Sequence, residues 1–436
     1  MTTNSVISYV VASLLPFTVL AQQHILTLDE AKQRAVEVSE NIQLARLAIE
    51  QARHGLESVR AERFPALELS ALYSHFSETA GISLDIPGLP GTRLQFGDGN
   101  IYEAALSTRL ALFTGFRLQS TRHAHEMRIA IAEEQLAASR NTLIARVMSV
   151  YKLAQLHNAD IRIYDEQMNY LNVQRDMLIQ LLAQGQLMPY DTLVLTTRTA
   201  SLAVQRAGAV REYHNALLEL AAFIDEHASF DINSDTRQDD QFTAIGLEGL
   251  FSEALKRRSD LRILELDSQQ REALLRAEQS VHYPIIAATA SYRYGRPGVD
   301  QFRNEWMNYY TAGVSMKWNI FAWGGDKHRI EARRIDVRSI QPRMQKLRRD
   351  IRRDIAAVLN DLQVLRSTLE LIDTQTRQEN EKAELLRHRL VEGTATAAEV
   401  VDAESSLTSA RLSKERCLIQ YDLKLIELAV MIGKDL

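Results

Sequence analysis

The chain has 436 residues, 46% hydrophobic and 25% charged, enough to bury substantial cores and too apolar for a disordered chain. A net charge of −5 gives no global case for nucleic-acid binding. The single cysteine, Cys417, excludes an internal disulfide or a thiolate metal cluster and reads as a small buried apolar residue in a helix.

Residues 1–21 read as a cleaved signal peptide. Val6 to Leu20 is mostly apolar, and Val19-Leu20-Ala21 before Gln22 resembles a small-residue cleavage site, although no Lys or Arg precedes the run. An N-terminal anchor helix is the alternative, but about fifteen apolar residues is short for a span. No later run is long, apolar and free of charge, so any membrane crossing must be made by β-strands.

Residues 22–227 follow one layout. A helix from about Leu28 leads to a strand over roughly 65–76, where Leu67, Leu69, Ala71 and Tyr73 share one face and Glu68, Ser70 and Ser74 the other. A polar loop near Ser77–Asn100 follows; its Gly97-Asp98-Gly99 is a turn, because no strand or helix is placed to make it a phosphate cradle. A second strand over roughly 101–113 sets Ala104, Leu106, Thr108 and Leu110 against Glu103, Ser107 and Arg109. Arg117 to Ala183 contains neither glycine nor proline, so it can form a helix on the order of 100 Å long at 1.5 Å per residue. Within it, His123-Ala124-His125 offers metal-binding residue types, but neighbours two apart on a helix diverge. A turn at Gly185-Gln186-Leu187-Met188 and a further helix close the first half.

A polar linker over 228–246 leads to 247–436, where the layout recurs. Leu28/Leu247, Ala35/Ala254, Leu56/Leu275, Pro65/Pro284 and Tyr73/Tyr292 correspond at one offset; Phe113/Phe321, Gly185/Gly393, Tyr213/Tyr421 and Ile224/Ile432 at a smaller one. The second pair of strands falls over roughly 284–294 and 309–321. Pro342 interrupts the matching long helix, where a kink is expected. Ile351, Ile355, Val358, Leu362, Leu365, Leu369 and Ile372 alternate spacings of four and three, a coiled-coil seam repeated by Leu143, Val147, Val150 and Ala154.

Four amphipathic segments of about ten residues suit transmembrane strands. An ordinary four-stranded sheet packed on helices is the alternative. The aromatics argue against it: Trp306, Trp318, Trp323, Tyr294, Phe113 and Phe321 gather near strand ends, where membrane-interface girdles belong. Four strands cannot close a barrel and open edges are not tolerated in lipid, so copies must join. Two would give eight strands around a filled interior; three would give twelve, wide enough for water.

The repeated helix–strand–strand–helix layout, with Leu112-Phe113-Thr114-Gly115 and Ile320-Phe321-Ala322-Trp323-Gly324-Gly325 at equivalent junctions, resembles the TolC-like outer-membrane efflux proteins along almost the whole mature chain. The first junction has one glycine and the second an extra residue relative to the family's Leu-Phe-x-Gly-Gly. The resemblance implies a mixed, mainly α fold: a homotrimer with a twelve-stranded barrel in outer-membrane lipid and a helical tunnel in the periplasm. It implies a passive exit channel of a tripartite efflux pump or type I secretion system, without enzyme activity, cofactor, metal or nucleic acid. Its partners would be a periplasmic adaptor and an inner-membrane transporter of RND, ABC or MFS type. A periplasmic adaptor with helical hairpins is the alternative reading of the chain itself.

The same resemblance assigns the tips Gly185, Gln186, Leu187, Gly393 and Thr394 to adaptor docking. It places Glu399 and Asp402, with Asp191 as the first-half counterpart of Glu399, in an acidic ring at the periplasmic entrance, although acids there also complement a helix N-terminus. Arg387 and Arg389, close to the second tip, are candidate gating latches.

Overall fold

The computed structural model describes residues 24–79, 81–86, 89–95, 99–183, 189–226, 230–233, 245–300 and 302–434. A short strand, β1 (His24–Leu26), precedes helices α1 (Leu28–Val38) and α2 (Glu40–Ala61). Two helices stand where one was expected, because Ser39 leaves the helical region and its hydroxyl accepts from the Ile42 amide at 3.4 Å, capping α2. Strand β2 (Ala66–His75) starts just past Pro65. Strands β3 (Gly81–Ile86) and β4 (Leu89–Gln95) form a hairpin inside the expected loop, and β5 (Asn100–Phe113) pairs back on β2. Helix α3 (Arg117–Ala183) runs unbroken for 67 residues. Helix α4 (Pro189–Ile224) opens on a proline, whose missing N–H is harmless in a first turn.

The second half begins inside the expected linker with β6 (Phe230–Ile232), then α5 (Leu247–Arg257) and α6 (Ser259–Gln279). Strands β7 (Ile285–Arg296) and β8 (Met307–Lys317) follow. Strand β8 stops short of residue 321 because its partner β7 begins only after Pro284, so the last pair is Ile285 with Lys317. Helices α7 (Gly325–Arg338), α8 (Ile340–Val391) and α9 (Ala397–Met431) complete the chain. The interruption in the long helix falls between Arg338 and Ile340. Pro342 lies in the first turn of α8, and its ring conflicts with a helical carbonyl four residues back, at Arg338, the last residue of α7.

Two compact units are built from these elements. One takes its described residues from Val36–Arg146, Gln238–Glu370 and Gln420–Leu436. It contains the antiparallel sheet, in the order β2-β5-β7-β8. Its helical core packs the expected seam, with Ile351, Ile355, Val358 and Leu362 against Leu250, Ala254, Leu425 and Ile432. Each such fully buried Ile, Val or Leu side chain contributes about 1.5–3 kcal/mol of hydrophobic stabilisation.

The other unit takes its described residues from Met1–Ala35, Val147–Arg237 and Leu371–Ile419. Leu171, Leu178, Leu195, Leu202 and Ala397 form one core, and Ala383, Ala403 and Leu407 another. Here β1 and β6 pair in parallel, tying the residues just before α1 to the segment between α4 and α5. This ribbon is moored on α3: the Tyr151 hydroxyl donates to Leu26 O at 3.0 Å and accepts from Asn233 N at 3.1 Å, while Gln155 Nε2 donates to Asn233 O at 2.7 Å. Tyr213 binds Asp231 beside them, and burial first, then that carboxylate, push its phenol well above the ordinary tyrosine range.

Candidate functional site

The sheet register sorts the strand residues by chemistry. Leu69, Leu106, Tyr292 and Tyr310 stand side by side across β2, β5, β7 and β8, while the next row, Glu68, Ser107, Ser291 and Thr311, faces the opposite way. The polar face is internally bonded. Glu103 accepts from Arg293 Nη1 at 3.4 Å and from the Tyr309 hydroxyl at 3.5 Å, and the Ser291 and Thr311 hydroxyls lie 2.7 Å apart. Among the described residues no layer covers the apolar face: Leu69 is 77% exposed and Tyr310 81%. The alternative of a sheet packed on helices fails here, since four adjacent strands offering large apolar side chains to water need another medium or partner.

The aromatics collect at the two ends of this sheet. At one end Trp306 stacks on Tyr294 with ring centroids 5.1 Å apart and leans on Tyr102 at 5.9 Å, which in turn meets Tyr73 at 5.1 Å. At the other, Phe116 meets Phe113 at 5.5 Å and Tyr283 at 5.8 Å, both edge-on. Phe321 and Trp323 lie 5.1 Å apart, and Trp318 Nε1 donates to His282 O at 3.3 Å. Both strand-to-helix junctions use left-handed backbone. Gly115 (φ 61) and Phe116 (φ 68) make one, and Trp323 (φ 51) and Gly324 (φ 81) the other. A bulky aromatic at positive φ is strained and persists only where its surroundings impose it.

At the second helical tip Gly393 (φ 72) caps α8. Thr394 N donates to Arg389 O at 2.8 Å and Gly393 N to Leu390 O at 3.0 Å, the paired bonds of a glycine-terminated helix. The first tip, with Gly185, Gln186 and Leu187, lies outside the described residues. Asp191 falls in the first turn of α4. Glu399 is exposed but engaged: its Oε2 accepts from Thr396 N at 2.8 Å and Thr396 Oγ1 at 2.9 Å, while Glu399 N donates to Thr396 Oγ1 at 3.3 Å. Thr396-x-x-Glu399 is thus a capping box for α9, legible in the sequence from its spacing. The Thr396 amide, then its hydroxyl, hold the Glu399 carboxyl below the ordinary range, with the charge of Arg389 adding. Asp402, three residues on and so on the same side of α9, is exposed.

Arg387 and Arg389 part company. Arg389 is exposed, whereas Arg387 Nε donates at 2.5 Å to Glu404, a carboxylate only 1% exposed, and its guanidinium lies 4.3 Å from the Tyr170 ring centre. The group joins α3, α8 and α9. Burial, then the Glu404 charge, push the Tyr170 phenol up to about 12. Sequence reasoning missed Glu404 and Tyr170, since only the packing of three helices brings them to Arg387. Among the described residues no group of His, Cys, Asp or Glu is arranged to hold a metal, and no helix is long and apolar enough to cross a membrane.

A sheet amphipathic across its thickness, girdled by aromatics and continued by long seam-packed helices, is the architecture of a membrane-channel subunit. The model of the outer membrane efflux protein family matches residues 31–224 and 250–434, and the chain belongs to that family. No curated protein sequence matches it. Among solved structures it is similar to CusC, described in terms of folding and transmembrane channel formation, at 17% identity and TM-score 0.78, over 94% of this chain and 92% of that one. The Campylobacter jejuni CmeC outer membrane channel matches at 15% identity and TM-score 0.75, over 93% and 85% of the two chains. The Vibrio cholerae outer membrane protein VceC matches at 16% and 0.74, over 93% and 96%.

Proposed function

We propose that three copies of this chain close into one barrel in the outer membrane and conduct substrates passively outward, as the exit channel of a tripartite efflux pump or type I secretion system. Three copies of the four-stranded sheet give twelve strands, which enclose a water-filled lumen lined by the Glu68, Glu103, Arg293 and Thr311 face. The observation that carries this reading is the sheet itself: uncovered on its apolar face, polar on the other, and open at β2 and β8. An open edge in lipid leaves backbone groups unpaired, and sister copies satisfy them.

The test is gentle detergent extraction from outer membranes followed by denaturing electrophoresis with and without boiling. A band of trimer size that collapses to monomer on boiling is expected; a freely soluble monomer overturns the reading. An adaptor would lack such a heat-sensitive oligomer.

In this scheme the helical tips around Gly393 and Thr394, and around Gly185, Gln186 and Leu187, dock a periplasmic adaptor that links the channel to an inner-membrane transporter of RND, ABC or MFS type. Asp402 and Glu399, with Asp191, ring the periplasmic entrance and favour cations. Arg387 is the latch residue, acting through Glu404 and Tyr170, and Arg389 has a lesser part, through its charge beside Glu399.

A further inference from the structure

We infer that the segment following β8 in one copy inserts as an aromatic wedge into a groove beside β2 and β5 of the next copy. This rests on the reading that copies join through their sheet edges, and it adds the contact that fixes how the edges align.

The groove exists because the two strands on that side end at different levels. Strand β2 starts at Ala66, paired with Arg109, whereas β5 continues to Phe113, so Leu110–Phe113 have no strand partner on the β2 side. Arg63, Leu112, Phe113, Phe116 and Leu118 line the space left open. Leu112 and Phe116 are more than half exposed there, and Arg63 is exposed with no carboxylate partner among the described residues.

The wedge lies at the opposite edge. Past Lys317, the last residue of β8 paired with β7, come Ile320, Phe321 and Trp323, with Trp323 91% exposed and held at positive φ beside Gly324. Wedge and groove cannot meet within one copy, because three strand spacings, about 14 Å in all, separate the edges.

Topology brings them together between copies. The sheet is antiparallel throughout, so β2 begins at the end where β8 finishes. When β8 of one copy pairs antiparallel with β2 of the next, the chain beyond Lys317 runs past Ala66 into the gap beside Leu110–Phe113. Phe321 and Trp323 then face Leu112 and Phe116, and the Arg63 guanidinium is placed to lie over an indole face. Leu110–Phe113 pair with β7 on one side, and a lipid acyl chain in the groove would leave their backbone groups that point toward the β2 side without partners in an apolar medium, which favours a second copy. The contact is heterologous, wedge to groove, and closes on itself only in a ring.

The test uses full-length protein with Cys417→Ala as background. Arg63→Cys combined with Trp323→Cys, treated in mild detergent with a short bismaleimide, is expected to give covalent dimer and trimer bands that neither single variant gives. A double variant that still runs as a heat-sensitive trimer but fails to cross-link overturns the wedge and leaves barrel closure intact; absence of any oligomer in the unmodified protein overturns closure itself. Should the double variant not assemble, a photoreactive phenylalanine at position 323 serves instead, with adducts expected at Arg63 or within 112–118 of another copy. A phospholipid retained by the native protein and lost on Arg63→Gln, with no such adduct, assigns the groove to lipid and overturns the inference.

Discussion

Glu404 is a carboxylate only 1% exposed, and Arg387 is its ion partner at 2.5 Å. Breaking a buried pair from one side strands the other charge, so Arg387→Ala should destabilise the end of α8 and the start of α9 by about 3 kcal/mol, roughly a hundredfold in local opening. Replacing both residues, as Arg387→Met with Glu404→Leu, should recover most of that loss, because an apolar pair needs no desolvated charge. Amide hydrogen exchange over residues 385–405 reads both; equal protection in Arg387→Ala and the native protein argues against a latch. Glu399 adds a pH dependence. Its folded carboxyl titrates lower than its unfolded one, so its contribution is present above the unfolded value and disappears as pH falls through the folded value. Protection of the first turn of α9 should therefore weaken on acidification below the ordinary glutamate range, and Glu399→Gln should flatten that dependence. Arg387 could be singled out from its distance to the tip, but Glu404 lies seventeen residues away across the turn. The Thr396-x-x-Glu399 spacing is legible in the sequence once the acid is read as a hydrogen-bond acceptor as well as a charge.

At the scale of elements, the two strand-to-helix junctions look alike in sequence and differ in space. Both glycines have positive φ, but a Cβ on Gly115 would lie 2.7 Å from Ser280 O and 2.8 Å from Tyr283 Cβ, while one on Gly324 would meet only the His328 ring at 3.9 Å. Gly324→Ala should cost about 1–2 kcal/mol, the ordinary penalty for left-handed backbone in a residue with a side chain. Gly115→Ala must also move backbone and should cost more, seen as a larger fall in the temperature at which the oligomer dissociates. The strands and long helices were legible because their periods of two and of four-and-three persist over many residues. The breaks at Ser39 and Arg258, and the ribbon of β1 and β6, were not. A three-residue strand has no period to detect, and its pairing with a strand some two hundred residues away is settled by Tyr151 and Gln155 on α3. The same limit hid β3 and β4 inside a polar loop.

In the whole molecule, trimerisation would turn single side chains into rings, and there Glu399 and Asp402 cease to be equivalent. Glu399 is turned back onto Thr396, its charge shared with the capping hydrogen bonds, whereas Asp402 stands exposed one turn further along the same side of α9. Under the proposed assembly, three copies of Asp402 around an axis would concentrate negative potential in a narrow aqueous passage and so drive cation preference. Asp402→Ala should therefore lower cation selectivity in planar-bilayer recordings more than Glu399→Ala, and the double replacement should lower it furthest. Glu399→Ala should chiefly loosen the tip by removing half of the capping box. The difference should be large at low ionic strength and nearly vanish at high, because the screening length falls from roughly 30 Å at 0.01 M salt to about 3 Å at 1 M. Selectivity unchanged by Asp402→Ala at low salt would show that these carboxylates serve the helix start alone and face no conducting path.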